Sequence, residues 1–233
     1  MPSRYGKLIS GATINRKRAL ISNAMKWAMR WGYIEKNPVT GTEGFKENKR
    51  DRYITEEEFK AIKNVAKSIP EAVHLSDIVD ALYYTAQRSG RIFDLRWSQI
   101  HLDERKIIIE GNSQTKKVPD EIWINQPFFE LLSRLKAKMF LQKVVGPYVF
   151  QKRDGKQYKS VKRAWSNCCR KAGIIDARIH DIRHKAITDM ARKGNSLQEI
   201  GKAAGHTQPS TTLRYTHLRA EDTKGGLESL GEK

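Results

Sequence analysis

Residues 13–31, TINRKRALISNAMKWAMRW, carry apolar side chains at helical spacing. Leu20, Ala24, Trp27, Ala28 and Trp31 fall on one stripe, while Arg16, Lys17, Lys26 and Arg30 supply polar faces. The pattern predicts a helix capped by Thr13, with both tryptophans packed in a core. GYIEKNPV ends the helix, because Pro38 disfavours helical backbone at Asn37. The next stretch, TGTEGFKENKRDRY, is polar, basic and glycine-containing, and reads as a linker. A boundary near residues 41–52 gives a short helical segment, residues 1–45, and a larger domain, residues 46–233. The larger domain opens on a capping box, Thr55 with Glu58, flanked by a staple of Ile54 and Phe59.

EAVHLSDIVDALYYTAQRSG reads as a helix to about Gln87, with Gly90 in the turn after it and IFDLRW as a short second helix. IIIEG is a β-branched strand closed by GNSQTKK, and VPDEIWI returns beside it. The pair forms a hairpin with lysines at its tip. Residues 127–142 are helical again, and PYVF is a short strand or extended segment. SVKRAWSNCCRKAG, HDIRHKAITDMARKG, SLQEIGKAAG and STTLRYTHL are helical with short breaks. The expected fold is mainly α with a small antiparallel β-sheet, an α+β class.

Charge narrows the partners. The 233 residues are 39% hydrophobic and 30% charged, with a formal net charge of +18. A balance this basic favours a polyanion, nucleic acid or an acidic membrane surface. Residues 1–50 hold 11 basic against 3 acidic residues, residues 51–150 hold 15 against 14, and residues 151–233 hold 18 against 9. Two basic ends therefore flank a balanced middle. They either face each other across a duplex or form separate solvated faces.

Cys168 and Cys169 are the only cysteines, and neighbours in sequence rarely bridge. Neither a disulfide framework nor a zinc spacing exists, which suits a reducing cytoplasm. MPSRYGKLIS lacks the apolar core of a signal peptide, and no run approaches the roughly 20 apolar residues of a membrane helix. The membrane surface falls behind nucleic acid as the partner.

Each polar candidate is ambiguous alone. Arg88 at a helix end is by default a solvated cation that suits the helix dipole. His180 and Arg183, three apart, share a helix face. His180 and His184 have metal-ligand spacing, but no cysteine or carboxylate stands at a familiar spacing beside them. His206 after Gly205 suits a helix-terminal cap, and Tyr215 suits a buried aromatic.

Together they read differently. TAQRSGRIFDLRW, a lysine-tipped hairpin, HDIRH and AGHTQPSTTLRYTHL follow one another in order and spacing. Over about residues 53–220 this chain resembles the tyrosine recombinase (phage integrase) family. Arg88 stands in a T-G-x-R-x-G-E-like box, His180 and Arg183 in an H-x-x-R box, and His206 and Tyr215 in an L-G-H-S-x-x-x-T-T-x-x-Y-x-H pattern. Three departures stand out. Ala86 replaces a usual glycine, and Arg91 a usual acidic residue. Gln114 stands where a common family form has lysine, which leaves Lys116, with Lys117 as alternative, as the hairpin lysine. Residues 13–40 resemble only the last helix and exit of the family's core-binding domain. The chain is then either a minimal natural enzyme or a fragment.

The resemblance implies a recombinase catalytic-domain fold behind a short helical segment. It also implies a DNA strand exchange that needs no cofactor, metal or ATP. Reversible strand breakage must conserve the phosphodiester energy, and a protein nucleophile does so by exchanging one ester for another. Tyr215 is the implied nucleophile, forming a 3′-phosphotyrosyl intermediate and a free 5′-hydroxyl. Arg88 and Arg183 suit the clamping of non-bridging oxygens. His180 is the candidate acceptor of the tyrosine proton. His206 would hydrogen-bond a phosphate oxygen, and Lys116 would protonate the departing 5′ oxygen.

The implied partner is double-stranded DNA, bound by a tetramer on two duplexes, with a monomer or weak oligomer when free. A DNA-bending or directionality factor is a further expected partner. A carboxy-terminal segment packing on a neighbour would hinge at Gly225 and Gly226. The expected setting is the bacterial cytoplasm at the nucleoid, and the expected role is integration or excision of a phage or mobile element. The alternatives are a relaxing topoisomerase and a non-catalytic integrase remnant that occupies DNA sites.

Overall fold

The computed structural model describes residues 9–47, 52–110, 120–142, 146–206, 208–213 and 215. The hairpin tip with Lys116 and Lys117, and residues 219–233 with Gly225 and Gly226, lie outside the described residues. The chain divides into two compact units, residues 1–51 and 52–233.

The first unit is built on α1, Gly11–Arg30. Its cap is Ser10 rather than Thr13: the Ser10 side chain accepts from the Thr13 amide. The helix also ends before Pro38 can act. Gly32 takes a left-handed φ of 76°, and the amides of Gly32 and Tyr33 reach back to the carbonyls of Met29 and Ala28.

The segment after α1 then runs back along it. Asn37 Nδ2 donates to the Ser22 carbonyl, Arg18 donates to the Thr42 carbonyl, and Asn15 and Phe45 exchange two hydrogen bonds of 2.8 Å. Gly11, Asn15, Arg18 and Ser22 form the helix face opposite the apolar stripe. Trp27 and Trp31 therefore do not pack in a core; they are 47% and 67% exposed. Their rings lean on each other at 5.8 Å, with Arg30 over Trp27.

The second unit carries a three-stranded antiparallel sheet and the remaining helices. α2, Glu56–Ser68, begins at the expected capping box, and both staple residues, Ile54 and Phe59, are buried. α3, Val73–Thr85, buries Leu75, Ile78, Val79, Ala81 and Leu82 at the centre of the main core. α4, Ser89–Asp94, starts three residues earlier than the apolar pattern indicates, so Gly90 lies in its first turn.

β1, Ile100–His101, pairs with β2, Lys106–Ile109, which pairs with β3, Asp120–Trp123, in the register Ile107 opposite Ile122. The two-residue β1 has no signature in the sequence. PYVF forms no strand: Tyr148 makes an isolated bridge to Arg96 and its neighbours are bends.

α5, Gln126–Leu141, and α6, Lys162–Lys171, close the main core. Both cysteines lie on α6. Burial, and next the adjacent Cys168, pushes the Cys169 thiol up to about 11. α7, His180–Arg192, sends Ile182 into the main core. Further along the helix Ala186, Ile187 and Ala191 pack in a smaller cluster with α8, Leu197–Ala204. α9, Pro209–Thr212, follows. Among the described residues no helix is long and apolar enough to cross a membrane.

A buried ionic knot fixes α7. Lys185, 1% exposed, reaches Asp189 at 2.9 Å, Glu56 at 3.2 Å and the Tyr53 hydroxyl at 3.3 Å. Tyr53 and Tyr83 donate to the two Asp189 oxygens at 2.7 and 2.9 Å. Paired and hydrogen-bonded charges are the form in which charge survives burial. The knot ties α7 to the entry of α2 and to α3, and so sets where the front of α7 stands.

Candidate active site

Three segments meet at the amino-terminal half of α7. The first is the turn from α3 to α4. Ala86 adopts φ 51° and ψ 20°, a left-handed conformation that a glycine takes without cost. The reversal points the Ala86 carbonyl toward α7 and leaves Arg88 exposed as the residue that starts α4. The second segment is α7 itself, with His180 at its first position and Arg183 and His184 one turn on. The third runs from the end of α8, where Gly205 turns the chain at φ 63°, through α9 to Tyr215.

Arg183 joins all three. The residue is 3% exposed, and Nη1 donates to the Ala86 carbonyl at 2.6 Å and to the Ala204 carbonyl at 2.8 Å. Gln87, also buried, runs a parallel tie: Nε2 donates to the Ala203 carbonyl at 2.6 Å, and Oε1 accepts from Arg91 Nη1 at 3.0 Å. Arg91 in turn pairs with Asp120 at 2.9 Å, at the start of β3. The unusual arginine at position 91 thus anchors the α4 turn to one end of the hairpin.

Tyr215 belongs to the smaller cluster, packed with Ala86, Ala186, Ile187 and Ile200, and is 8% exposed. It is a core aromatic and a polar participant at once. Its hydroxyl lies 2.6 Å from His184 Nδ1. The His184 ring meets His180 edge to face at 4.9 Å. His206 Nδ1 lies 2.7 Å from the Thr212 hydroxyl, itself buried. A groove lined by Arg88, Ser89, Gly90, Arg91 and His180 opens beside them.

The electrostatics follow from this crowding of cations. Burial, and next the Arg88 guanidinium, brings Arg183 down to about 10, so it stays charged at neutral pH. Burial, then Arg183 and Arg88, brings His206 down to about 4. Burial, then His184, Arg183 and Arg88, lowers His180, against a weaker opposing pull from Asp181. Burial, with the neighbouring cations, favours the neutral form of these two histidines, and Arg88 and Arg183 give the site a positive field that the Asp94 and Asp181 carboxylates partly oppose. A phosphate group is the anion such a field accommodates.

Five of the six residues expected from the sequence are described, and their segments converge here: Arg88, His180, Arg183, His206 and Tyr215. Lys116 and its alternative Lys117 lie outside the described residues, between the paired positions Ile109 and Asp120. From the sequence His184 stands out only for its metal-like spacing from His180. Its place one turn along the same helix face, next to Arg183, was the available signal. The Arg91–Asp120 pair and the Thr212–His206 contact had none, since each joins residues through the folded chain.

Comparison with known proteins decides the family. The phage integrase family profile matches residues 52–222, most of the chain. The chain belongs to the phage integrase family. A shufflon-specific DNA recombinase of Escherichia coli is 31% identical over 93% of this chain. The chain spans about half of that relative's length, 54%. The tyrosine recombinase XerC of Bacillus pumilus is 25% identical, covering 94% of this chain and 75% of the relative.

Among solved integrase structures, the Tn1549 transposon integrase in complex with a circular intermediate DNA superposes with a TM-score of 0.79. It is 16% identical and covers 95% of this chain and 80% of its own. A lambda integrase tetramer bound to a Holliday junction gives 0.66 at 22% identity, covering 84% and 57%. At these identities the structural likeness establishes the integrase catalytic fold, a mainly helical domain with a small antiparallel sheet.

Proposed function

We propose that this integrase-family chain is a site-specific recombinase that cuts and rejoins double-stranded DNA through Tyr215. The observation that carries the reading is the assembly around Arg183. One buried guanidinium draws the Arg88 turn and the end of α8 together on α7, beside a hydrogen-bonded phenol.

Attack of the Tyr215 hydroxyl on a phosphodiester concentrates negative charge on the non-bridging oxygens. Fixed cations oppose that charge without reorganising. Arg88 and Arg183 supply them, and arginine keeps its charge in a shielded site. His206 is held neutral, and in the tautomer with Thr212 donating to Nδ1 its proton sits on Nε2, ready to donate to a phosphate oxygen. The departing 5′ oxygen takes a proton from the hairpin lysine, Lys116 or Lys117. His180, at the groove, lies within the same positive field.

The DNA substrate is supported by the relatives, which include a named DNA recombinase and integrases solved on DNA. The lambda integrase tetramer on a Holliday junction supports four protomers on two duplexes as the working assembly. The basic segment of residues 1–45, with α1 in it, serves as a DNA-clamping segment, giving salt-dependent affinity through phosphates. The biological role is integration or excision of a phage or other mobile element in a bacterial cytoplasm.

The test is a nicked duplex carrying a site selected from a random-sequence pool by affinity for the protein. Cleavage beside the nick releases a short strand, and the covalent protein–DNA adduct accumulates. Adduct from the wild type and none from Tyr215→Phe is expected. Tight binding without adduct from the wild type would leave a DNA-binding protein and remove the enzyme.

A further inference from the structure

The side chain that touches the Tyr215 hydroxyl is His184, with Nδ1 at 2.6 Å from the oxygen. We propose that His184 is a catalytic residue, the base that accepts the Tyr215 proton during strand cleavage and returns it on resealing. The proposal rests on Tyr215 being the nucleophile.

Three features of the fold carry it. The contact is at proton-transfer distance. The imidazole is also held in place. It projects from the turn of α7 fixed by the neighbouring Lys185–Asp189 knot, and His180 stands edge-on to it at 4.9 Å. Finally, His206 Nδ1 is engaged with Thr212, six residues along the chain. The geometry thus gives the two histidines different tasks.

The step balances as a simple transfer. The Tyr215 O–H bond breaks and its proton moves to His184 Nδ1, giving an imidazolium. The phenolic oxygen bonds to phosphorus, and the bond from phosphorus to the 5′ oxygen breaks. Its electron pair stays on the 5′ oxygen, which takes a proton from the hairpin lysine. Resealing runs the same steps backward.

Arg183, beside His184 in the chain, disfavours an imidazolium there and favours the phenolate left on Tyr215, while His180 and His206 also stand within electrostatic reach of His184.

The experiment is single-turnover adduct formation on the nicked duplex by His184→Ala, His184→Gln and His180→Ala. Each protein carries either tyrosine or a fluorinated tyrosine of lower pKa at position 215. Both His184 variants should lose about 100-fold or more in rate with DNA affinity nearly unchanged, in the range of acid–base contributions. The more acidic phenol, or a rise in pH, should recover much of that loss while the wild type gains little. A wild-type rate and pH profile in His184→Gln, a faster His184→Ala, or no recovery with the acidic phenol would overturn the proposal. Any of these with a wild type that forms adduct condemns the base assignment alone. A wild type that forms none removes the tyrosine chemistry beneath it.

Discussion

Arg183 Nη1 donates a 2.6 Å hydrogen bond to the carbonyl of Ala86, although 97 residues separate them in the chain. The same nitrogen holds the Ala204 carbonyl at 2.8 Å. A residue cast as a phosphate clamp is therefore also a structural tie. Arg183→Ala should lose adduct formation and also stability. Buried carbonyls left without a donor cost about 1–3 kcal/mol each. Arg183→Lys keeps a charge but cannot reproduce the fork geometry, so it should retain more stability than activity. Urea unfolding alongside the adduct assay separates the two losses.

Ala86 occupies a left-handed turn at φ 51°. A Cβ in that region costs about 1–2 kcal/mol. Ala86→Gly relieves the strain but gives up a buried methyl group worth up to about 0.8 kcal/mol. The expected result is a neutral to slightly stabilised protein. Ala81→Gly, in the middle of α3, should instead destabilise by about 1 kcal/mol or more through lost helix propensity and packing. Parallel unfolding curves check the contrast, and equal losses at the two positions would contradict the strain argument.

His206 titrates near 4 in the folded protein against an ordinary value of 6.5. The unfolded chain therefore takes up a proton first as the pH falls. Stability should be full above about 6.5, decline between about 6.5 and 4, and level off for this group below that. His206→Gln should flatten the slope in that window. A phosphodiester in the site adds negative charge beside the cations that lower His206, so the His206 imidazole resonance should titrate at higher pH with DNA bound. NMR titration with and without duplex measures this. An unchanged midpoint would place the phosphate elsewhere.

The Lys185–Asp189 knot makes a separate prediction. Burial pushes Asp189 up, but hydrogen bonds from Tyr53, Lys185 and Tyr83 prevail and leave it below the usual carboxylate range. Its contribution is therefore present at and above the usual carboxylate pKa and is lost as pH falls through the lower folded value. Burial opposes the charge on Lys185, and the bonds to Asp189, Glu56 and Tyr53 raise it overall. That contribution holds at neutral pH and is lost only in strong alkali. Lys185→Met strands a buried carboxylate and should cost about 3–5 kcal/mol. Adding Asp189→Leu should recover much of the loss, as a thermodynamic cycle on the four proteins would show.

Much of this architecture is written locally. The capping box at Thr55 and Glu58 and the hairpin flanks are short-range signals, and the structure places helix and strands there. The tryptophans of α1 misled because a stripe shows amphipathicity and not which face finds a partner. The return segment took the opposite face. In the site, residue types and order were legible for Arg88, His180, Arg183, His206 and Tyr215. The contact between His184 and Tyr215 was not, because it depends on where the folded chain sets Tyr215 against α7. The Arg91–Asp120 pair likewise exists only once α4 stands beside β3.

Strand cleavage by Tyr215 would leave that residue covalently joined to DNA. The most direct measurement is mass spectrometry of peptides from the trapped adduct after nuclease trimming. The expected product is a nucleotide attached through its 3′-phosphate to Tyr215, with a free 5′-hydroxyl on the released strand. A nucleotide on any other residue, or attached through a 5′-phosphate, would contradict it.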